Sequence, residues 1–223
     1  MIKKLMFASL SLLLLASCQQ NLTTEQPAVP SAAPTVDPQD NISFFITSEG
    51  SGDGANLGGL AGADAHCQKL ASAAGIEGKT WKAYLSSSQE NARDRIGTGP
   101  WYNVKGTLIA NNIAELHGDG NNINKTNGLN EKGEIVNGRG DTPNRHDILT
   151  GSTPEGNVDG TNTCADWTAN GEGAATVGHH DLMGLDDTPP SKSWNSSHPS
   201  RGCSQDNLKG SGGDGLFYCF ATE

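Results

Sequence analysis

The placement of cysteines constrains this chain of 223 residues more than any other feature of its sequence. Five cysteines are present, so at least one of them lies outside any intramolecular disulfide. The first, Cys18, follows Lys3, Lys4 and the apolar stretch 5–15, an arrangement typical of an export signal. This stretch is too short to span a bilayer, which takes roughly 20 residues. We therefore expect an exported protein, in which disulfides form and persist.

The remaining four cysteines are expected to form two disulfides. No two of them have C-x-x-C spacing, which argues against a cysteine-ligated metal. Spacing alone leaves three pairings open. Segment 62–75 has helical periodicity with Cys67 on its inward face, and 215–223 has the composition of a terminal strand. If that strand lies in the centre of a sheet, Cys219 comes beside the helix. We therefore favour the pairs Cys67–Cys219 and Cys164–Cys203.

Charge and glycine content narrow the class of protein. The chain has 25 acidic and 15 basic residues, a net charge of −10, which argues against nucleic acid and anionic lipid surfaces as partners. Glycine, at 29 residues, is well above average usage, and the mean hydropathy is −0.49. These values predict a loop-rich domain rather than a helical bundle.

The chain divides into three parts: a signal peptide (1–17), a tether that begins with Cys18 (18–41) and one domain (42–223). The tether contains four prolines and few bulky apolar residues, which is typical of a solvated linker. The domain combines the helix with strands expected at 42–48, 80–87 and 215–223 and, as short runs, at 107–110 and 133–138. We predict an α+β domain.

Two resemblances add to this interpretation. Leu15-Ala16-Ser17-Cys18 resembles the lipobox of bacterial lipoproteins, although an ordinary cleaved signal peptide is the alternative. The resemblance implies that Cys18 carries lipid, palmitate among its acyl chains, and anchors the protein to a membrane. Gln19, rather than Asp, follows the cysteine, which implies the outer membrane in the commonest Gram-negative sorting pattern.

The domain is similar to endostatin, the C-terminal domain of the type XV and XVIII collagens. The similarity rests on 59–88, which contains Gly-Ala-Asp, a cysteine and a closing Leu-Ser-Ser, and on 151–167 and 201–220. It implies a C-type lectin-like fold with twisted antiparallel strands, one or two helices and long loops stapled by two nested disulfides, first to last and second to third. Segment 89–145 matches poorly.

Endostatin's ligand sites are not reproduced. Its heparin-binding arginine clusters are missing, and its N-terminal zinc histidines would fall in a histidine-free tether. The Glu-Pro-Asn and Gln-Pro-Asp sugar motifs of calcium-dependent lectins are also missing, and Ser196 follows Trp194-Asn195 where an acidic ligand is expected. Sugar binding is therefore implied by the fold alone.

One loop concentrates residue types that bind metals. Segment 178–187, GHHDLMGLDD, combines imidazoles with carboxylates, both of which are metal-ligand types. No cofactor is certain from the sequence, and the oxygen ligands of the acids make calcium the candidate. The alternative is a solvated loop whose adjacent histidines point apart. The candidate ligand or metal residues are His180, Asp181, Asp187, Asn195 and His198.

A second candidate site is the loop 138–143, GRGDTP, which contains Arg139-Gly140-Asp141, the integrin-recognition tripeptide. Glycines on both sides favour presentation of the arginine and aspartate to a partner. The tripeptide also occurs by chance, because Gly-Asp pairs are common in turns.

Catalytic motifs are missing: the sequence has no G-x-S-x-G, H-E-x-x-H or P-loop. Its four tryptophans are expected in the core rather than in a sugar cleft. We therefore expect a surface-anchored, non-catalytic module that binds glycan or host matrix proteins. The alternatives are a divergent envelope hydrolase that uses the His179–Asp187 loop and a structural envelope protein that binds the cell's own glycans.

Overall fold

The structure, a computed structural model, describes residues 41–222, which form a mixed α+β domain with few helices and several strands. The described residues belong to one compact unit. The expected signal peptide, Cys18 and the tether up to residue 40 lie outside them. Within residues 41–222, no helix is long and apolar enough to cross a membrane.

Strand β8 is the longest strand and occupies the centre of the main sheet. It pairs antiparallel with β1 and β2 along its second half and parallel with β5 along its first half. The sheet continues antiparallel from β5 to β6 and β7, while β3 and β4 form a separate pair. The strands are β1 Phe44–Ile46, β2 Trp81–Ala83, β3 Trp101–Tyr102, β4 Leu108–Ala110, β5 Asp147–Leu149, β6 Thr176–His179, β7 His198–Pro199 and β8 Gly213–Ala221.

The main sheet differs from the expectation in two respects. The pairing of β5 with β8 is parallel, so the sheet is mixed rather than wholly antiparallel. The strand expected at 133–138 is replaced by a single bridge between Leu129 and Ile135. Val136 is buried in a core, but Ile135 is 55 % exposed, so the segment offers a single apolar residue to the interior rather than the apolar face of a strand.

Helix α1 (Gly59–Ala73) covers one face of the sheet. Its buried residues, Ala63, Cys67, Leu70 and Ala71, recur at helical spacing. The remaining helical pieces are short: Ala92–Arg95, Ile113–Leu116, the 3-10 turn Pro190–Lys192 and Gln205–Ser211. The turn Cys164–Trp167 is left-handed, with φ between 48° and 67°.

Strand β8 separates two apolar cores. Phe217 and Cys219 face α1, whereas Tyr218 and Phe220 face the opposite core, as expected when successive side chains alternate across a sheet. All four tryptophans are at most 5 % exposed, so they pack in the cores. They are Trp81, Trp101, Trp167 and Trp194.

Two disulfides cross-link the domain, Cys67–Cys219 and Cys164–Cys203. These are the pairs favoured from the sequence. The first joins α1 to the central strand β8, and both of its cysteines are fully buried. The second joins the left-handed turn to the segment before the helix Gln205–Ser211.

Candidate metal centre

Polar side chains occupy the end of the main sheet where β5, β6 and β7 run side by side. Asp147, the first residue of β5, pairs across the strands with His179, the last residue of β6. The next pair on the same face, Leu149 and Val177, belongs to the apolar core. Val177 also pairs with His198 of β7. Because alternate residues of a strand share a face, the sheet places Asp147 and His179 on one surface and His198 next to them.

Three imidazole rings converge on the Asp147 carboxylate. Oδ1 of Asp147 lies 3.1 Å from Nε2 of His146 and 3.3 Å from Nε2 of His179. Nε2 of His198 is 3.7 Å from the same oxygen. Asp147, His146 and His179 are at most 3 % exposed, whereas the His198 side chain is 40 % exposed. The cluster of these four residues is therefore buried except at His198.

The other nitrogen of each ring fixes the position of its proton. In all three rings, Nδ1 is placed to hydrogen-bond an oxygen that only accepts, whereas Nε2 lies within 3.7 Å of Oδ1 of Asp147 without hydrogen-bond geometry. A neutral ring is therefore assigned its proton at Nδ1. Hydrogen bonds through Nδ1 orient metal-binding histidines. They run from His179 to the Ser191 carbonyl at 2.8 Å, from His198 to the Pro199 carbonyl at 3.0 Å and from His146 to the Asp181 carboxylate at 3.3 Å.

Asp147 is left without a hydrogen bond. Neither of its carboxylate oxygens has a partner in the described part of the chain, and neither does Nε2 of His179. A buried carboxylate without a hydrogen bond is costly. Burial by itself lowers the pKa of His179, but the Asp147 carboxylate and the Ser191 carbonyl outweigh burial and raise that pKa. The cluster therefore attracts positive charge.

The distances from Asp147 to the imidazole nitrogens match the ligand spacing of a zinc site. Donor atoms of His146, Asp147 and His179 lie within 4.8 Å of one another. Atoms about 2.0–2.1 Å from a tetrahedral zinc ion are roughly 3.3 Å apart, close to the observed separations from Asp147. Imidazole nitrogens suit zinc, copper, iron and nickel, whereas calcium takes six to eight oxygens. The donor set fits a transition metal better than the calcium expected from the sequence.

Asp181 supports the cluster from outside. Its Oδ2 accepts a hydrogen bond from the backbone N–H of Arg139 at 2.6 Å, and Oδ1 accepts one from that of Met183 at 3.1 Å. Burial opposes the charged form of Asp181, but the contact with His146 and these backbone bonds outweigh burial and hold its pKa well below the usual range. Asp181 stays ionised and keeps His146 turned toward Asp147.

A cavity of about 510 Å³ opens beside the cluster. His146, His179 and His198 form one side of it. Arg139 and Arg201 also line it. A metal held by the cluster is therefore within reach of a small molecule in the cavity through the exposed His198 side.

The five residues selected from the sequence are separated in the structure. His198 belongs to the cluster, and Asp181 supports it. His180 is fully buried and donates from Nε2 to the Asn137 carbonyl at 3.2 Å, and burial lowers its pKa. The two adjacent histidines thus point apart, as in the alternative weighed for this loop.

The last two selected residues lie outside the cluster. The Asp187 side chain is 95 % exposed and pairs with Lys192 at 2.7 Å. Asn195 is buried, and its side-chain amide donates to the Tyr84 hydroxyl at 3.0 Å and to two backbone carbonyls. Asn195 therefore fixes the loop before β7 rather than facing a ligand.

The Arg-Gly-Asp segment is divided between two environments. The Arg139 side chain lines the cavity beside the cluster. The Asp141 carboxylate pairs with Lys125 at 2.6 Å and accepts a hydrogen bond from the Gly138 N–H at 2.8 Å. An adhesive role for Arg139, Gly140 and Asp141 stays a prediction, and integrin binding would require Asp141 to leave Lys125.

Sequence reasoning missed His146 and Asp147 and left His179 out of the selected residues. The available signal was the run His-Asp followed by Ile148, Leu149 and Thr150, which reads as a polar pair at the start of a buried strand. Two adjacent metal-ligand types at a strand start indicate a site only when their cross-strand neighbours are known.

A scan against protein-family models found no match, and no curated protein matches the sequence significantly.

Proposed function

We propose that residues 42–223 form a metal-dependent binding module whose metal, of the zinc type, is held by His146, Asp147 and His179, with His198 at the exposed side. One observation carries the proposal: the buried Asp147 carboxylate has no hydrogen-bond partner among residues 41–222, and three imidazole Nε2 atoms lie within 3.7 Å of its Oδ1. A divalent cation neutralises the carboxylate and takes the neighbouring imidazole nitrogens as ligands.

The role of the metal is to bind a ligand. A metal with only structural purpose is closed off by its protein ligands, whereas an open position beside a cavity permits exchange. Here the His198 side chain is 40 % exposed, and the cavity of about 510 Å³ is large enough for part of a glycan or peptide.

A hydrolase is less well supported because the histidines of the cavity are assigned to the metal and its carboxylate is a poor general base. Asp186 lines the cavity, but hydrogen bonds from Thr188 and Ser191 lower its pKa to about 2. A general base works best with a pKa near the operating pH. We therefore retain the non-catalytic module as the proposed function.

The two resemblances support the proposed location, ligand class and fold of the module. The lipobox-like residues 15–18 support lipid attachment at Cys18 and display from the outer membrane, with glycan or matrix proteins as ligands. The endostatin-like segments, the nested order of the two disulfides and helix α1 support a C-type lectin-like fold.

Calorimetric titration of the full-length chain, with its disulfides formed, tests the metal. Zinc should bind with one-to-one stoichiometry, and calcium should give no heat. Asp147→Asn and His179→Gln should each weaken zinc binding at least about tenfold, because each removes a ligand. Asp187→Asn is the matched control, since Asp187 is exposed and paired with Lys192, and it should bind zinc as the unmodified chain does.

Two results would count against the proposal. No heat with zinc, cobalt or nickel would mean that protons rather than a metal neutralise Asp147. Equal loss of affinity in Asp187→Asn and Asp147→Asn would place the metal in the exposed loop instead of the cluster.

A further inference from the structure

Two arginines of the cavity lack acidic partners. The chain has five arginines. Arg95 pairs with Asp64 and Glu90, Arg145 pairs with Asp214, and Arg93 donates to the Glu155 carbonyl. Across residues 41–222, the guanidinium groups of Arg139 and Arg201 have neither an ion pair nor a side-chain hydrogen bond, and both line the cavity beside the cluster.

Unpaired arginines are unexpected in this chain. With 25 acidic residues against 15 basic ones, most cations can find a carboxylate partner. Arg139 even has the buried Asp181 next to it, but it uses its backbone N–H for that contact and leaves its side chain at the cavity. The guanidinium fork matches the paired oxygens of carboxylate, phosphate and sulfate groups.

We infer that this cavity binds an oxyanion, the acidic group of a larger ligand, with one oxygen on the metal and the others hydrogen-bonded to Arg139 and Arg201. The inference rests on the proposed function, because the metal supplies one of the three contacts. With a divalent metal, Asp147 and Asp181 balance the charge of the metal, and the two arginines then outnumber Asp186. An anionic ligand completes the balance.

We expect a ligand that carries its negative charge on a single group. The net charge of −10 repels a polyanion from most of the surface, so a heparin-like chain does not fit this description. A cavity of about 510 Å³ holds roughly one sugar ring or one short acidic side chain. Ser197, Ser211 and Leu185 also line it and present hydroxyl and apolar surface.

The test uses inorganic phosphate and glucuronate as probes of the two sources of such an oxyanion, with glucose as the uncharged control. Each is titrated into the zinc-loaded full-length chain and into the chelator-treated chain. We expect phosphate, glucuronate or both to bind the zinc-loaded chain, at least about tenfold more weakly without zinc, and glucose not to bind. The tighter probe identifies the source.

Variants separate this inference from the proposed function. Arg139→Gln and Arg201→Gln should each weaken binding of the better probe about tenfold while zinc affinity changes less than about twofold. Lys69→Gln is the control for loss of one charge, since Lys69 lies on α1 and does not line the cavity, and it should leave both affinities unchanged.

Each failure has its own meaning. Zinc binding without binding of either anion overturns the oxyanion inference and leaves the metal proposal standing. Anion binding that survives both arginine substitutions, or that matches glucose binding, also overturns it. If zinc does not bind at all, the proposed function and this inference fall together.

Discussion

Asp147 is the residue on which the metal centre depends. Its neighbours Ile148 and Leu149 fill the two cores, so the strand cannot turn the carboxylate outward without exposing apolar side chains. The residue is 2 % exposed, and three imidazole nitrogens lie within 3.7 Å of its carboxylate. In the absence of metal, a protonated His179 compensates the charge of Asp147, in line with the raised pKa of His179.

The stability effect of Asp147→Asn in chelator should change sign with pH. His179 has a raised pKa in the folded state, so its stabilising contact with Asp147 is fully present below the unfolded value of about 6.5 and is lost as pH rises through the folded value. At pH 6 the substitution should lower the free energy of unfolding. At pH 9, once His179 has lost its proton, it should raise that free energy by about 1–3 kcal/mol, because it removes a buried charge that has no protonated partner.

Urea unfolding of the metal-free variant and of the unmodified chain at both pH values measures the effect. Asp187→Asn should show no change of sign. If Asp147→Asn destabilises the chain at pH 9 as well, the protein itself satisfies Asp147 and no metal is needed there.

At the scale of elements, the segment 193–197 packs against β6 and thereby places His198 in the cluster. The backbone N–H of His179 donates to the Ser193 carbonyl at 2.8 Å, and that of Ser197 donates to the Val177 carbonyl at 2.7 Å. Gly178 lies between these two contacts. A Cβ atom at Gly178 would be 1.8 Å from the Trp194 carbonyl oxygen, so only glycine permits this approach.

Gly178→Ala should therefore lower the free energy of unfolding by at least about 2 kcal/mol and weaken zinc binding, because the segment must move away from β6. Gly171→Ala is the matched control, since a Cβ there would meet nothing within 4 Å. Thermal unfolding with and without zinc measures both effects. An unchanged melting temperature in Gly178→Ala would mean that this segment adapts without cost and does not position His198.

The length and periodicity of each element decide whether the sequence could predict it. Helix α1 and strands β1, β2 and β8 were predictable because their apolar residues recur with a clear period and at sufficient length. Strands β6 and β7 have four and two residues and carry glycine, histidine and proline, so local propensity does not reveal them.

The metal centre depends on these unpredictable strands. Its residues come from three segments, and only the pairing of β5 with β6 and of β6 with β7 brings Asp147, His179 and His198 together. Local sequence drew attention instead to Asp187, which follows the acidic Asp186 but whose side chain faces solvent. Residue type was informative, whereas the choice among neighbouring residues required the tertiary structure.

For the molecule as a whole, the two disulfides constrain the unfolded chain to different extents. Cys67 and Cys219 are 152 residues apart, and Cys164 and Cys203 are 39 apart. All four cysteines are at most 1 % exposed, so replacing either pair by alanine leaves cavities of similar kind. The difference between the two pairs is therefore mainly one of loop length.

Replacing Cys67 and Cys219 by alanine should cost about 1 kcal/mol more free energy of unfolding than replacing Cys164 and Cys203, because the loop-closure entropy of the unfolded chain grows with the logarithm of loop length. Denaturant unfolding of the two double variants measures this difference, and each variant serves as the control for the other. Neither pair belongs to the metal cluster, so both variants should bind zinc unchanged under conditions where they remain folded. The reverse order of stability would mean that packing around the left-handed turn Cys164–Trp167, rather than loop closure, sets the contribution of these bonds.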